Sequence, residues 1–164
     1  MKKITFVIAL CLILILTACN SEVSYPHYVQ DLCDLDISGS MVVSSGDSHG
    51  GFHGDGALMV KFDCTQISDS VIQQLDSWNT LPLSENLQLI MYGGTKDGTV
   101  YAHELAERYG IPEVQNGYYY FVDRHSESTD SASDNNLFSR SSWNFSLVIY
   151  DSDNAHLYLF EFDT

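Results

Sequence analysis

The sequence predicts an α+β domain with a mainly antiparallel sheet of about five or six strands and two or three helices packed on one face. Apolar and polar residues alternate in segments of residues 29–64 and again in residues 118–162, as they do in half-buried strands. Apolar residues recur at helical spacing between these two regions, in residues 67–109. Segregation of strands from helices favours α+β over the alternating α/β class.

Three strands are predicted before the helices. Residues 29–37 alternate apolar and polar side chains, residues 41–43 are a short apolar run, and residues 57–64 alternate again. The turn-forming segment Ser38-Gly39-Ser40 separates the first strand from the second. A glycine-rich loop joins the second to the third, so we expect neighbouring strands of one sheet.

Up to three helices are predicted in the middle of the chain. Residues 67–78 have apolar side chains at helical spacing, and Ser68 suits the N-cap position. A second helix starts at Ser84 and ends before Gly93. A third covers about residues 99–109, where a glycine and then a proline stop it.

The last part of the chain returns to strands. Residues 118–122 are rich in tyrosine and strongly β-forming, and residues 127–136 form a polar, serine-rich loop. Residues 143–150 and 156–162 alternate apolar and polar side chains on either side of a turn at residues 151–154. This pattern predicts a terminal hairpin built into the sheet.

The N-terminus has the features of a bacterial lipoprotein signal. Lys2 and Lys3 precede an apolar run over residues 4–16, which is too short to span a bilayer comfortably. Leu16-Thr17-Ala18-Cys19 then resembles a lipobox. The resemblance implies cleavage before Cys19 and acyl chains such as palmitate on that cysteine. It gives a signal peptide over residues 1–18, a tether over 19–27 and a single domain over 28–164.

The composition restricts the class of partner. The chain of 164 residues has 7 Lys and Arg against 22 Asp and Glu, a formal net charge of −15. An acidic surface repels phosphate backbones, so nucleic-acid binding is disfavoured. It favours a basic or cationic partner, or it serves only to keep the domain soluble.

Two cysteines lie in the predicted domain. Cys33 and Cys64 alternate with apolar residues, so both are expected on buried strand faces. An extracytoplasmic location permits a disulfide between them. The alternative is a pair of buried free thiols that pack as small apolar side chains.

The glycine-rich loop from Asp47 to Gly56 is the first candidate site. It holds two histidines, two aspartates and four glycines in ten residues. His49, His53, Asp47 and Asp55 are side chains of the kind that bind divalent metals such as zinc. The alternative is a structural loop in which glycines adopt positive φ and aspartates cap turns. A Ser48/His49/Asp55 triad is a further interpretation of the same loop.

His125 extends the candidate site. It follows the tyrosine-rich strand in the segment Asp123-Arg124-His125, and it would complete a three-histidine site if the loop lay nearby in space. Residues 103–107 carry half of a zinc-protease motif, but Glu107 stands where the second histidine belongs. We interpret that segment as a solvated helix face, and we assign no catalytic residue.

Motifs spread over nearly the whole mature chain resemble a family of uncharacterised lipoproteins from Gram-positive bacteria. In addition to the lipobox, they are His49 to Gly56, Leu81-Pro82-Leu83-Ser84-Glu85-Asn86, Asp123-Arg124-His125-Ser126-Glu127 and Tyr158-Leu159-Phe160-Glu161-Phe162-Asp163-Thr164. The resemblance implies a one-domain protein attached to the cell membrane through Cys19. It implies no activity, substrate or site.

The function expected from these observations is that of a membrane-anchored binding or interaction module on the extracytoplasmic side. It would bind through the glycine-rich loop and the tyrosine-rich sheet. The alternative is a metal-binding protein or metal-dependent hydrolase centred on His49, His53 and His125, with zinc as the candidate cofactor.

Overall fold

The computed structural model describes residues 24–50 and 54–164. In these residues the strands are β1 (Met41–Asp47), β2 (Gly56–Asp63), β3 (Asn79–Thr80), β4 (Gly94–Lys96), β5 (Thr99–Tyr101), β6 (Gly117–Asp123), β7 (Asn144–Asp151) and β8 (His156–Asp163). The α-helices are α1 (Tyr25–Cys33), α2 (Ser68–Ile72), α3 (Glu85–Tyr92) and α4 (Leu105–Tyr109). None of the described helices is long and apolar enough to cross a membrane.

Six of the strands form one sheet in the order β1-β2-β8-β7-β6-β3, and every neighbouring pair is antiparallel. The predicted terminal hairpin, β7 and β8, lies at its centre and is buried along almost its whole length. Strands β4 and β5 form a separate two-stranded hairpin. The predicted α+β class with a mainly antiparallel sheet is confirmed.

Alternation along the central strands divides the core into two clusters. On one face, Leu147 and Phe160 pack with apolar residues of α3 and α4. On the other face, Val148 and Leu159 pack with residues of α1 and α2, including Val29. The helices therefore cover both faces of the sheet, whereas the sequence predicts a single covered face.

The difference begins at α1, where the sequence predicts a strand over residues 29–37. Pro26 lies in the first turn of this helix, where its missing N–H costs nothing. Val29 and Cys33 are four residues apart and point together into the second cluster. The helix begins at Tyr25, inside the range 19–27 assigned to the tether.

The alternation that favours a strand is present after the helix. Asp34 ends α1 with a left-handed φ of 54°, and residues 35–37 then form neither helix nor strand. Leu35 and Ile37 are fully buried while Asp36 between them is exposed. Cys33 belongs by position to both patterns, and this overlap is why the sequence pattern is ambiguous.

The predicted helix after Ser84 is confirmed, and its neighbours are shorter than predicted. The hydroxyl of Ser84 accepts a hydrogen bond from the Leu87 amide, and Gly93 ends the helix. Residues 99–101, predicted as helix, form strand β5. Asp97 and Gly98 both have positive φ and turn the chain between β4 and β5, as in a tight hairpin.

Both cysteines of the domain are buried free thiols. Cys33 and Cys64 belong to the same core cluster, and the Cys33 thiol donates to the Val29 carbonyl at 3.1 Å. The structure thus has the second of the two arrangements that the sequence leaves open.

Candidate functional site

The glycine-rich loop joins β1 to β2 at one edge of the sheet, and it is described on both sides of residues 51–53. Ser48 closes its base. The Ser48 amide donates to the Ala57 carbonyl at 2.9 Å, and the Ser48 hydroxyl accepts from the Ala57 amide at 2.9 Å. These bonds extend the β1–β2 ladder by one position, and they give Ser48 a structural role rather than that of a nucleophile.

The His49 imidazole lies between two carboxylates. Its Nδ1 is 2.7 Å from Oδ1 of Asp47, and its Nε2 is 3.0 Å from Oδ2 of Asp163 at the end of β8. With both nitrogens engaged, His49 has no free position for a metal ion, and its partners do not include Asp55 as the triad interpretation requires.

Asp163 is the centre of a wider polar network. Its carboxylate accepts hydrogen bonds from Arg124 at 3.1 Å and from Asn144 at 3.0 Å, in addition to its contact with His49. Three neighbouring strands and the loop after β1 therefore meet at this one carboxylate. Sequence reasoning did not single out Asp163, because its partners come from distant parts of the chain.

The network continues along the same face of β8 to Glu161, which is 8% exposed. Glu161 Oε1 accepts from the hydroxyls of Tyr28 and Ser146, each at 2.6 Å, and lies 3.6 Å from Nε of Arg124. Burial, together with the bond to Glu161, raises the pKa of Tyr28 far above its usual value. A signal for Glu161 exists in the sequence, because strand alternation with Leu157 and Leu159 places this carboxylate on a buried face.

His125 holds the turn after β6 and uses different partners. Its Nδ1 accepts from the Glu127 amide at 3.1 Å, and its Nε2 lies 2.9 Å from Ser142 Oγ. The adjacent Asp123 is buried and accepts from Arg140 at 2.6 Å. Among the described contacts, His49 and His125 share no partner.

The predicted metal ligands are not gathered in the described part of the chain. Within residues 24–50 and 54–164, no group of three or more His, Cys, Asp or Glu side chains could hold a metal ion. Asp55 is exposed. His53 and Cys19 lie outside the described residues, so zinc binding that uses His53 stays a prediction.

The structure explains why glycine is required at two positions of the loop. Gly54 has a φ of +72°, which favours glycine. A Cβ on Gly56 would lie 2.6 Å from Cα of His49, so only glycine permits this approach of the two ends of the loop. The concentration of glycines is therefore explained in part by the closure that positions His49.

An open cavity of about 530 Å³ lies beside the loop, between the β1–β2 edge and α4. Its floor includes the apolar side chain of Met59, and Glu107 and Arg108 stand on the α4 side. The complete lining is Gly46, Asp47, Ser48, Ala57, Met59, Glu107, Arg108, Tyr109 and Gly110. We call this space the α4 cavity.

Strand β1 is the free edge next to this cavity, and all seven of its residues are exposed. Met41, Val42 and Val43 are 63%, 47% and 55% exposed. A break in the pairing register lies between Val42 and Ser44, which makes Val43 a bulge. The three apolar side chains therefore lie in solvent at the edge of the sheet.

The tyrosine-rich strand β6, in contrast, is paired with β7 along its whole length and with β3 at Tyr118 and Tyr119. β6 lies between β3 and β7, and Tyr119 is buried in the first core cluster. Tyr118 and Tyr120 pack against the second cluster, with the Tyr120 ring centroid 5.5 Å from that of Trp78. These tyrosines hold the core, so the exposed surface of the site comes from β1 and the loop.

The sequence matches no protein-family model, no curated protein and no solved structure.

Proposed function

We propose that this chain is a lipid-anchored, extracytoplasmic binding module whose contact surface is the outer edge of β1 (Met41–Asp47) together with the α4 cavity. We call this the β1 surface. The observation that carries the proposal is the exposure of all seven residues of an edge strand, including three consecutive large apolar side chains. Exposed apolar groups at an unpaired sheet edge are typical of contact sites for another chain.

The contacts of the loop favour binding over catalysis. Ser48 and His49, the residues that would supply a nucleophile or a base, are engaged in closing the loop against Ala57 and Asp163. Their effect is to hold the end of β1 and one wall of the α4 cavity in place. A positioned edge beside an open cavity is what a binding surface requires.

The anchor supports the same function. The lipobox-like segment ending at Cys19 implies attachment to the outer side of the membrane. A domain tethered there presents its exposed edges to other molecules of the envelope. The membrane is then the first partner, through the lipid on Cys19, and the second is whatever contacts the β1 surface.

Site-specific photo-crosslinking tests the contact surface. A photoreactive amino acid would replace Val43 in the full chain, expressed with its leader in a Gram-positive host. The matched control is the same substitution at Val100 on β5, which is 73% exposed and equally apolar. We expect a discrete higher-mass adduct from Val43 and none from Val100. Equal adduct patterns at both positions, or none at either, would contradict the proposal.

The anchor has its own test. The Cys19→Ala chain should leave the detergent phase in a phase-partition assay, whereas the unaltered chain should enter it. A Cys33→Ala variant is the control, because it removes a different cysteine. Equal partitioning of the Cys19→Ala and unaltered chains would rule out lipidation at this residue.

A further inference from the structure

We propose that the β1 surface binds an extended, basic polypeptide segment, which pairs with β1 as a seventh strand of the main sheet. This inference rests on the proposed function and specifies the chemistry of its partner. It joins three features of the same edge: unpaired backbone groups, little protection against pairing, and negative charge at both ends of the strand.

The backbone groups of β1 alternate in direction. Because the Ser48 amide donates to Ala57 on β2, the antiparallel ladder directs the amides of Ser44 and Gly46 towards β2 as well. The amides and carbonyls of Ser45 and Asp47 then point away from the sheet. These outward groups are the donors and acceptors that an added strand needs.

The β1 edge has few of the features that usually prevent such pairing. Natural edge strands carry lysine or proline, or are very short. β1 has seven residues and contains neither lysine nor proline, whereas β3 at the opposite edge has two residues. The protective features of β1 are the charged Asp47 at its end and the bulge at Val43, which leaves the stretch from Ser44 to Asp47 regularly paired with β2.

Negative charge stands at both ends of the strand. Asp63 pairs with Met41 at one end, and Asp47 is the last residue at the other. Hydrogen bonds from Thr65 hold the pKa of Asp63 below its usual value, and those from His49 do the same for Asp47. Both carboxylates are thus ionised throughout the neutral range.

The nearest lysine offsets these charges only in part, because Lys61 acts on Asp63 and not on Asp47. Lys61 lies opposite Ser44, but its ammonium lies 5.6 Å from the ring centroid of Tyr158, on β8. The Lys61 side chain therefore points towards β8 and away from β1. With a formal charge of −15 on the chain, a second copy at this edge would meet strong repulsion, and a basic segment would be attracted.

The α4 cavity adds room for a side chain of the added strand. Gly46 has no side chain, and a Cβ built there would meet nothing within 4 Å. A long cationic side chain can therefore pass over β1, lay its methylene groups on Met59 and place its charge near Glu107. Arg108 lies in the same lining, so the cavity carries one positive charge beside the negative charges of Glu107 and Asp47.

Binding of a synthetic peptide to the mature chain carrying Cys19→Ala tests the inference. The probe is a peptide of the same length as β1, 7 residues, with alternating lysine and valine. A second peptide has the same sequence with every backbone amide N-methylated, so that neither of its edges can donate hydrogen bonds to β1. A third has glutamate in place of lysine.

We expect saturable binding of the lysine peptide, weakened at least about tenfold by N-methylation, abolished by glutamate and reduced by added salt. Equal binding of the N-methylated peptide would overturn strand pairing. Equal binding of the glutamate peptide would overturn the basic partner. Absence of binding by the lysine peptide would overturn the inference as a whole. A stable dimer of the domain in sedimentation, with the β1 edge covered, would assign this edge to a second copy.

A variant on the protein side gives an independent result. Ser45→Pro removes an outward amide, which an edge strand tolerates because that amide has no partner in the sheet. It should abolish peptide binding, whereas Ser45→Ala should retain it. If the Ser45→Pro and Ser45→Ala variants bind the lysine peptide equally and both have the melting temperature of the unaltered chain, strand pairing is excluded. An adduct at Val43 with a partner that is not a basic chain would overturn this inference and leave the proposed function intact.

Discussion

Nε2 of His49 lies 3.0 Å from Oδ2 of Asp163, a residue 114 positions later in the chain. This contact ties the loop after β1 to the end of β8. Through Asp163 the loop is also connected to Arg124 and Asn144. The loop that follows β1 is therefore held by one carboxylate distant in the sequence, in addition to the pairing of β1 with β2.

Replacing that carboxylate should weaken the fold. Asp163→Asn keeps the size of the side chain but removes its charge from Arg124 and His49, so we expect a loss of about 2 kcal/mol in the free energy of unfolding. Denaturant unfolding at neutral pH measures it. Asp31→Asn, an exposed change of the same charge, should cost less than about 0.5 kcal/mol. Equal losses in the two variants would show that the Asp163 network contributes nothing to stability.

The Arg140–Asp123 pair predicts a pH dependence. Both side chains are buried, at 7% and 2% exposure, and their atoms are 2.6 Å apart. Burial alone would raise the pKa of Asp123, but the hydrogen bonds from Arg140 and from the His125 amide outweigh it and lower the pKa. The stability gained from Asp123 is therefore present above its unfolded pKa of about 4 and is lost as pH falls through the folded pKa.

The Arg140→Met substitution should raise the pKa of Asp123 above its usual value, because burial then acts without the opposing hydrogen bond from Arg140. The expected loss is about 3 to 5 kcal/mol near neutral pH, shrinking as the pH falls towards about 4, where the buried carboxyl becomes protonated. Unfolding curves across this range measure the trend. The double variant Arg140→Met, Asp123→Asn should show no such dependence of the loss on pH. If the loss for Arg140→Met alone does not change with pH, this account is contradicted.

The free thiols should be protected from modification. Burial raises the pKa of Cys33 to about 12 and that of Cys64 to about 11, so neither forms the reactive thiolate at pH 8. With Cys19 replaced by alanine, we expect no labelling of the folded mature chain, and labelling of both cysteines in denaturant without reductant. Protein secreted through an oxidising compartment is the sample to use. Labelling that appears only after reduction would establish a Cys33–Cys64 disulfide.

Zinc should leave the melting temperature unchanged, because both nitrogens of His49 already face carboxylates. At a free zinc concentration 100 times the dissociation constant, a specific site would add about 2.7 kcal/mol to the free energy of unfolding. A thermal melt detects such a change easily. A rise that a chelator reverses and that His49→Gln abolishes would instead support the metal site predicted from the loop. The same melts with His53→Gln would show whether that histidine takes part.

The central hairpin is the part of the fold that local sequence predicts best. In β7, Phe145 and Leu147 alternate with Asn144 and Ser146, whereas residues 157–160 of β8 form an unbroken apolar run, and both strands are buried almost throughout. At α1 the same rule fails. Val29 and Cys33 satisfy helical spacing, while Cys33, Leu35 and Ile37 satisfy strand spacing, and a single sequence does not rank the two patterns.

The sequence predicts only those contacts of the candidate site that join residues close together in the chain. His49 and Asp47 are close in sequence, so their contact follows from a loop of this composition. The contact with Asp163 depends on β2 pairing with β8, and no local pattern specifies which strands become neighbours. The pairing of the tyrosine-rich β6 with β7 and β3 likewise depends on strand order.

Amide hydrogen exchange along β1 tests the central claim most directly. In the isolated domain, the outward amides of Ser45 and Asp47 should exchange rapidly, while those of Ser44 and Gly46 are protected by β2. In the complex captured at Val43, Ser45 and Asp47 should become protected as well. Unchanged rapid exchange of these two amides in that complex would contradict the claim that the partner pairs with the free edge of β1 as an added strand.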